Sequence, residues 1–123
     1  MKLKALKETY QIVKLKPTGE IPQDIFSQEV YSITRTEDEI SIVVNSGLKI
    51  QSDNIENGWR IIKIAEVLDF SLTGVLSKIS GVLADNDISI FVVSTYNTDY
   101  ILIKEHYVNK AIKILTDNGY RFE

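Results

Sequence analysis

The hydrophobic rhythm of the chain changes halfway along. In the first half the apolar positions recur every second residue or come in short β-branched runs. Thr9–Lys16 (TYQIVKLK) alternates weakly and is rich in β-branched and aromatic residues, which predicts a strand ended by Pro17 and Gly19. Ile21–Phe26 (IPQDIF) reads as a short helical turn with Pro22 near its first position. The segments EVYSITR and EISIVVN then flank the charged run TEDE. In the second of them Ile40, Ile42 and Val44 alternate with Ser41, Val43 and Asn45, so a hairpin is expected. Ser46-Gly47 is a turn, and LKIQS (Leu48–Ser52) follows as a further extended segment. Asn57-Gly58 is a local turn signal just before Trp59, because both residue types tolerate positive φ.

The second half alternates strand and helix. Trp59–Ala65 predicts a strand. Between Leu72 and Ala84 the apolar residues Leu72, Val75, Leu76, Ile79, Val82 and Leu83 fall at helical spacing, with Ser77, Lys78 and Ser80 opposite. Asp85-Asn86 stops that helix. Ile88–Ser94 is a near-continuous apolar run, as a central strand requires. Tyr96-Asn97-Thr98-Asp99 turns the chain into a returning strand, Tyr100–Lys104. A second helix carries the stripe Val108, Ala111, Ile112 and Leu115, Asn118-Gly119 ends it, and YRF closes as a short strand. The order β-α-β-β-α-β describes an α+β, ferredoxin-like sandwich with helices on one face of an antiparallel sheet. The first half reads as a degenerate copy of part of it. Tyr31–Val44 can be laid on Phe91–Lys104 at an offset of 60 residues, with pairs similar in kind (Ile33/Val93, Thr34/Ser94, Glu39/Asp99, Val43/Ile103). The expected division is residues 1–57, the degenerate half, and 58–123, the complete unit.

Composition narrows the function. Of 123 residues, 44% are apolar and 25% charged, enough for a modest core. A formal net charge of -3 argues against nucleic acid as partner. The chain has no cysteine, which excludes thiol chemistry and disulfides. Neither a secretory h-region after Met1 nor an apolar run of about 18 residues is present, so no membrane partner and a cytoplasmic location are expected.

The search for catalytic chemistry is negative. There is no nucleophile elbow, zinc-protease helix, phosphate loop or dinucleotide fingerprint. His106 stands alone beside Glu105, where a metal site needs several converging ligands. No catalytic residue, metal or cofactor is expected. Two polar clusters stand out instead. Asp69-Phe70-Ser71-Leu72-Thr73-Gly74 precedes the first long helix, whose leading N–H groups lack intrahelical partners and carry partial positive charge. Gly74 allows close approach to that backbone, so the entrance suits a carboxylate. Against this stands the ordinary reading, in which Asp69 or Ser71 simply caps the helix. The second cluster, Thr95 to Asp99, is an ordinary polar turn by itself. In a β-α-β-β order the two clusters approach each other, and together they suit a zwitterion. Its carboxylate would lie at the helix entrance and its cationic group at Asp99.

The run FSLTGVLSKISGVLADNDISIFVVSTYNTDYILIKEHYVNKAIKIL resembles an ACT domain, the small regulatory module that binds amino acids in enzymes such as aspartate kinase. The likeness extends over about Trp59 to Phe122 and is closest to stand-alone tandem ACT proteins, among them cytosolic arginine sensors. Its most specific part is LADNDISIFVVSTYNTDYILI. The first half is similar to a divergent, shortened ACT-like companion. The resemblance implies a free amino acid as ligand, a homodimer and a regulatory target that the residues do not name. It implies a ligand site at Asp69, Phe70, Ser71, Leu72, Thr73, Gly74 and Val75, joined by Thr95, Tyr96, Asn97 and Asp99. This chain has Ser71-Leu72 where the arginine sensors place an acidic pair, which leaves the identity of the amino acid open. The function implied is that of a sensor or regulatory protein without catalysis of its own. The alternatives are an interaction module whose ligand site has decayed, a small enzyme using Asp69 and Asp99 as acid and base, and a single-strand RNA binder. The last lacks the aromatic-and-basic sheet signature.

Overall fold

The computed structural model describes residues 1–123 and divides the chain into two compact units, Glu8–Trp59 and Met1–Lys7 with Arg60–Glu123. The strands are β1 (Lys2–Ala5), β2 (Tyr10–Leu15), β3 (Ser32–Arg35), β4 (Ile40–Asn45), β5 (Asn54–Ile64), β6 (Ile90–Ser94), β7 (Asp99–Lys104) and β8 (Arg121–Phe122). The helices are α1 (Val75–Ala84) and α2 (Val108–Asp117), with short 3₁₀ helices at Gln23–Ser27 and Glu105–Tyr107. It is an α+β fold with the ferredoxin-like order β5-α1-β6-β7-α2-β8 in its second part.

In the C-terminal unit the strands lie in the order β6-β7-β5-β1-β8. The helices bury Ile79, Leu83, Ala111 and Leu115 against Ile62, Ile64, Ile101 and Ile103 of the sheet. Burying a side chain of this kind contributes roughly 1.5–3 kcal/mol, so this apolar layer is what holds the helices on the sheet. The N-terminal segment, expected with the other half, supplies β1 here. It runs antiparallel to β5 and parallel to β8. Its pattern Lys-Leu-Lys-Ala has period two, and Leu3 is fully buried in the same core.

The N-terminal unit pairs β3 with β4, β4 with β2, and β2 with the first part of β5, all antiparallel. Its core is Val13, Ile25, Ile40, Ile42, Val44 and Ile50. The 3₁₀ helix supplies Ile25 after Pro22, which stands just before it. This unit has no α-helix, only the short 3₁₀ helix between β2 and β3. Leu48–Ser52, expected to be extended, joins no ladder, although Ile50 is buried.

Asn57-Gly58 makes no hairpin. Strand β5 runs through it, and the register against β2 shifts between Tyr10 and Ile12, so one extra residue bulges out. Gly58 takes φ 79°, and Asn57 Oδ1 accepts hydrogen bonds from the Gly58 N–H and the Ser46 hydroxyl. Positive φ is therefore used here, in a bulge rather than a turn.

The internal likeness is also corrected by one residue. Loop 36–39 joins the pair Arg35↔Ile40, and loop 95–98 joins Ser94↔Asp99, so the structural offset is 59. At that offset Thr36 matches Thr95 and Ile42 matches Ile101.

Candidate functional site at the entrance of helix α1

The chain leaves β5 at Ile64 and reaches α1 at Val75. The helix had been expected from Leu72. It begins three residues later because Gly74 takes φ 81°, outside the right-handed region, and stands as N-cap. No side chain caps it. Asp69, a candidate cap by sequence, turns inward on its own loop. Its Oδ1 accepts from the Ser71 N–H and the Ser71 hydroxyl, each at 2.8 Å, and its carbonyl accepts from the Leu72 N–H at 2.9 Å. Those two bonds from Ser71 favour the charged form and hold the Asp69 carboxyl below the usual value of 3.8. The leading N–H groups of α1 are thus left without a side-chain acceptor. A Cβ placed on Gly74 would meet nothing within 4 Å, so the backbone is open to approach.

The hairpin at the end of β6 meets this loop. Asn97 O accepts from the Leu68 N–H at 2.7 Å, and the Thr98 hydroxyl donates to Ile64 O at 2.8 Å. The rings of Phe70 and Tyr96 meet edge to face with centroids 5.0 Å apart. Inside the hairpin the Thr95 N–H donates to Thr98 O, and the Thr95 hydroxyl bonds both the carbonyl and the N–H of Thr98. The two polar clusters therefore touch through Phe70 and Tyr96, while Asn97 bonds Leu68 just before the loop and Thr98 ties the hairpin to Ile64 of β5. Ser71, Leu72 and Thr73 are exposed and make no hydrogen bond to the hairpin. Val75 belongs to the helix and packs on the core.

Asp99 lies on the helix side of the sheet, in step with Ile101 and Ile103. It is half-buried, and its Oδ1 accepts from the hydroxyl of Ser94, its cross-strand partner. Its other oxygen has no partner in the chain. Asp69 and Asp99 each have one oxygen engaged by a serine, and of the two only Asp99 is half-buried. Sequence reasoning missed Ser94 and Thr98 as the residues that orient it and anchor its hairpin. The signal for both was the two-residue pairing register around the turn.

Apolar side chains ring the same region: Val67, Phe70, Leu72 and Tyr96 are 75%, 74%, 54% and 81% exposed. That is far from the usual burial of such residues. No cluster of three or more His, Asp or Glu side chains converges anywhere in the chain as a metal site would require. No helix is long and apolar enough to cross a membrane.

A family model described as ACT domain matches residues 54–117, and a second model, of an N-terminal domain, matches residues 8–48. The mouse protein named cytosolic arginine sensor for mTORC1 subunit 1 is 32% identical over 93 residues, 69% of this chain and 28% of that protein. The chain spans between 18% and 28% of the length of the mammalian proteins of that name that it matches. A solved structure from Agrobacterium tumefaciens matches with TM-score 0.89 and 33% identity, covering 99% of this chain and 91% of that one. The aspartokinase alpha and beta subunits match with TM-score 0.68 and 19% identity over 95% and 96% of the two chains, a likeness of fold.

Proposed function

We propose, because this chain belongs to the ACT domain family, that it is a regulatory protein that binds a free amino acid and carries no catalytic activity of its own. The observation that carries the reading is the meeting of the Asp69–Val75 loop with the Thr95–Asp99 hairpin beside an uncapped helix entrance. The ligand carboxylate is held by the leading N–H groups of α1, where the helix dipole adds positive charge. Its ammonium, or a cationic side chain, faces the free oxygen of Asp99. Binding regulates by favouring one domain arrangement over another, which requires unequal affinity for the two. The naming of mammalian relatives as arginine sensors supports this ligand class. The protein works in the cytoplasm as a homodimer, with the exposed Phe70, Leu72 and Tyr96 covered by the second copy.

Calorimetric titration of the full chain with each common amino acid tests the reading. One saturable ligand is expected, weakened about tenfold or more by Asp99→Ala, the loss of one charge-assisted bond. Gly74→Ala should weaken it too, since φ 81° strains any residue with a Cβ. Silence from every amino acid, with the fold intact, would discard the ligand. The exposed apolar ring then favours a second reading, an interaction module with a decayed site. That module would self-associate with or without amino acids.

A further inference from the structure

The chain holds two Asn-Gly steps, Asn57-Gly58 and Asn118-Gly119, and the fold treats them in opposite ways. In such a step the glycine nitrogen can attack the side-chain amide before it, because no Cβ crowds the cyclic imide that forms. At the end of α2 the step is tied down. The Asn118 Nδ2 amide donates to Ile114 O at 2.8 Å, and the Gly119 N–H donates to Thr116 O at 3.1 Å. The leaving nitrogen and the attacking nitrogen are both bound to helix carbonyls. In β5 the step lies in the bulge. The pairs Tyr10↔Trp59 and Ile12↔Glu56 leave Asn57 and Gly58 facing Gln11 alone, so neither holds a paired position. The Gly58 N–H donates to Asn57 Oδ1, 2.8 Å away, which sets the nitrogen beside the amide carbon it would attack. The Ser46 hydroxyl donates to the same oxygen at 2.6 Å. Asn57 is exposed, so water reaches it, and a Cβ built on Gly58 would meet nothing within 4 Å.

A hydroxyl that donates to a carbonyl oxygen polarises the carbon toward attack and steadies the negative charge that grows on the oxygen as the new bond forms. We propose that Asn57 is a built-in deamidation site, with Gly58 N as the nucleophile and the Ser46 hydroxyl as the donor to the oxyanion. Gly58 N bonds to Asn57 Cγ while its proton passes through solvent to Nδ2, the Cγ–Nδ2 bond breaks and ammonia leaves. The cyclic imide then takes up water at either of its carbonyls. One opening gives aspartate at position 57. The other gives isoaspartate, in which the main chain runs through the side-chain carbon and is longer by that carbon. Nothing is oxidised or reduced, and water is the co-reactant. Either product places a carboxylate in the bulge, and the isoaspartyl form lengthens β5 beside the pair Tyr10↔Trp59. The N-terminal unit thus carries a slow, one-way chemical clock. No residue of it belongs to the proposed amino-acid site.

The test is incubation of the full chain in mildly alkaline buffer, with and without urea, followed by peptide mapping by mass spectrometry. The map reads the conversion of amide to acid at each asparagine. In urea, Asn57 and Asn118 should convert at similar rates, because the fold no longer distinguishes them. In the folded protein Asn57 should convert about tenfold faster than Asn118, whose two nitrogens the helix holds. Ser46→Ala should slow conversion at Asn57 about three- to tenfold, the worth of one hydrogen bond. Ser46→Thr, which keeps the hydroxyl, should convert at the wild-type rate. Asn118 in each sample reports whether the fold is intact. Conversion of folded Asn57 no faster than Asn118 overturns the proposal. So does an unchanged or faster rate in Ser46→Ala, which would mean that the hydroxyl only pins the bulge. An absent amino-acid ligand would leave every one of these readouts standing.

Discussion

Set side by side, the hairpins β3–β4 and β6–β7 share a frame and differ at its closing pair. Each has a four-residue loop opened by a threonine whose N–H donates to the carbonyl three residues on, Thr36 to Glu39 and Thr95 to Thr98. Each threonine hydroxyl also accepts from backbone N–H groups inside its loop. After the loop the N-terminal hairpin places Ile40, fully buried, where the C-terminal one places Asp99. The ties to the neighbouring loop differ too. Arg35 reaches Gly19 O at 3.4 Å, a weak bond, whereas the other hairpin bonds Leu68 and Ile64 at 2.7 and 2.8 Å and sets the Tyr96 ring edge to face with Phe70. One backbone frame thus closes on a core isoleucine in one place and on a half-buried carboxylate in the other.

The sharpest way to break that comparison is to exchange the closing residues. Ile40→Asp buries a carboxylate with no partner and should cost more than about 3 kcal/mol in urea unfolding, or prevent folding of the N-terminal unit. The reciprocal Asp99→Ile should hold stability within about 1 kcal/mol, because a β-branched residue suits a half-buried strand position. It should abolish the proposed amino-acid binding in the same calorimeter. A tolerated Ile40→Asp would mean that the first hairpin is not a packed counterpart of the second.

A smaller effect probes what the hairpins share. Thr36→Ala and Thr95→Ala each remove loop hydrogen bonds and should cost about 1 kcal/mol by equilibrium unfolding. Closely matched losses support a common frame, and a loss confined to one of the two positions separates them. The smallest effect concerns the loop that only the C-terminal hairpin touches. Bonds from Ser71 lower the folded-state pKa of Asp69, so the stabilisation is present above the unfolded value near 3.8. It is lost as pH falls through the lower folded value. The melting temperature of Asp69→Asn should therefore fall slightly below wild type at pH 6, and the gap should close near pH 2. A gap that persists in acid would assign the loop's stability to something other than that carboxylate.

Much of this was legible in the chain because periodicity reports burial. The stripes Ile79/Leu83 and Ala111/Leu115 and the alternation of Ile40, Ile42 and Val44 all predicted elements that formed. What failed turned on local backbone geometry that several residue patterns can satisfy. Asn57-Gly58 can make a turn or a bulge, and pairing with β2 selected the bulge. Gly74 is compatible with a helix interior by pattern, yet φ 81° put it at the start. Strand β1 was overlooked because its two lysines hid a period of only four residues. Of the candidate site, the meeting of loop and hairpin followed from the element order. The anchors Ser94 and Thr98 depended on register to the single residue, which hydrophobic pattern leaves open by one or two positions.

The place of β1 bears on how the chain folds. Its partners β5 and β8 lie far along the sequence, so pairing it early means closing a long loop, a cost that grows with loop length by roughly 0.6 kcal/mol per doubling. Folding of the N-terminal unit shortens that loop, because Tyr10 and Trp59 become cross-strand partners a few residues from Ala5 and Ile62. Lengthening the chain between Ala5 and Ile62 should accordingly slow refolding of the C-terminal unit, which waits on its first strand.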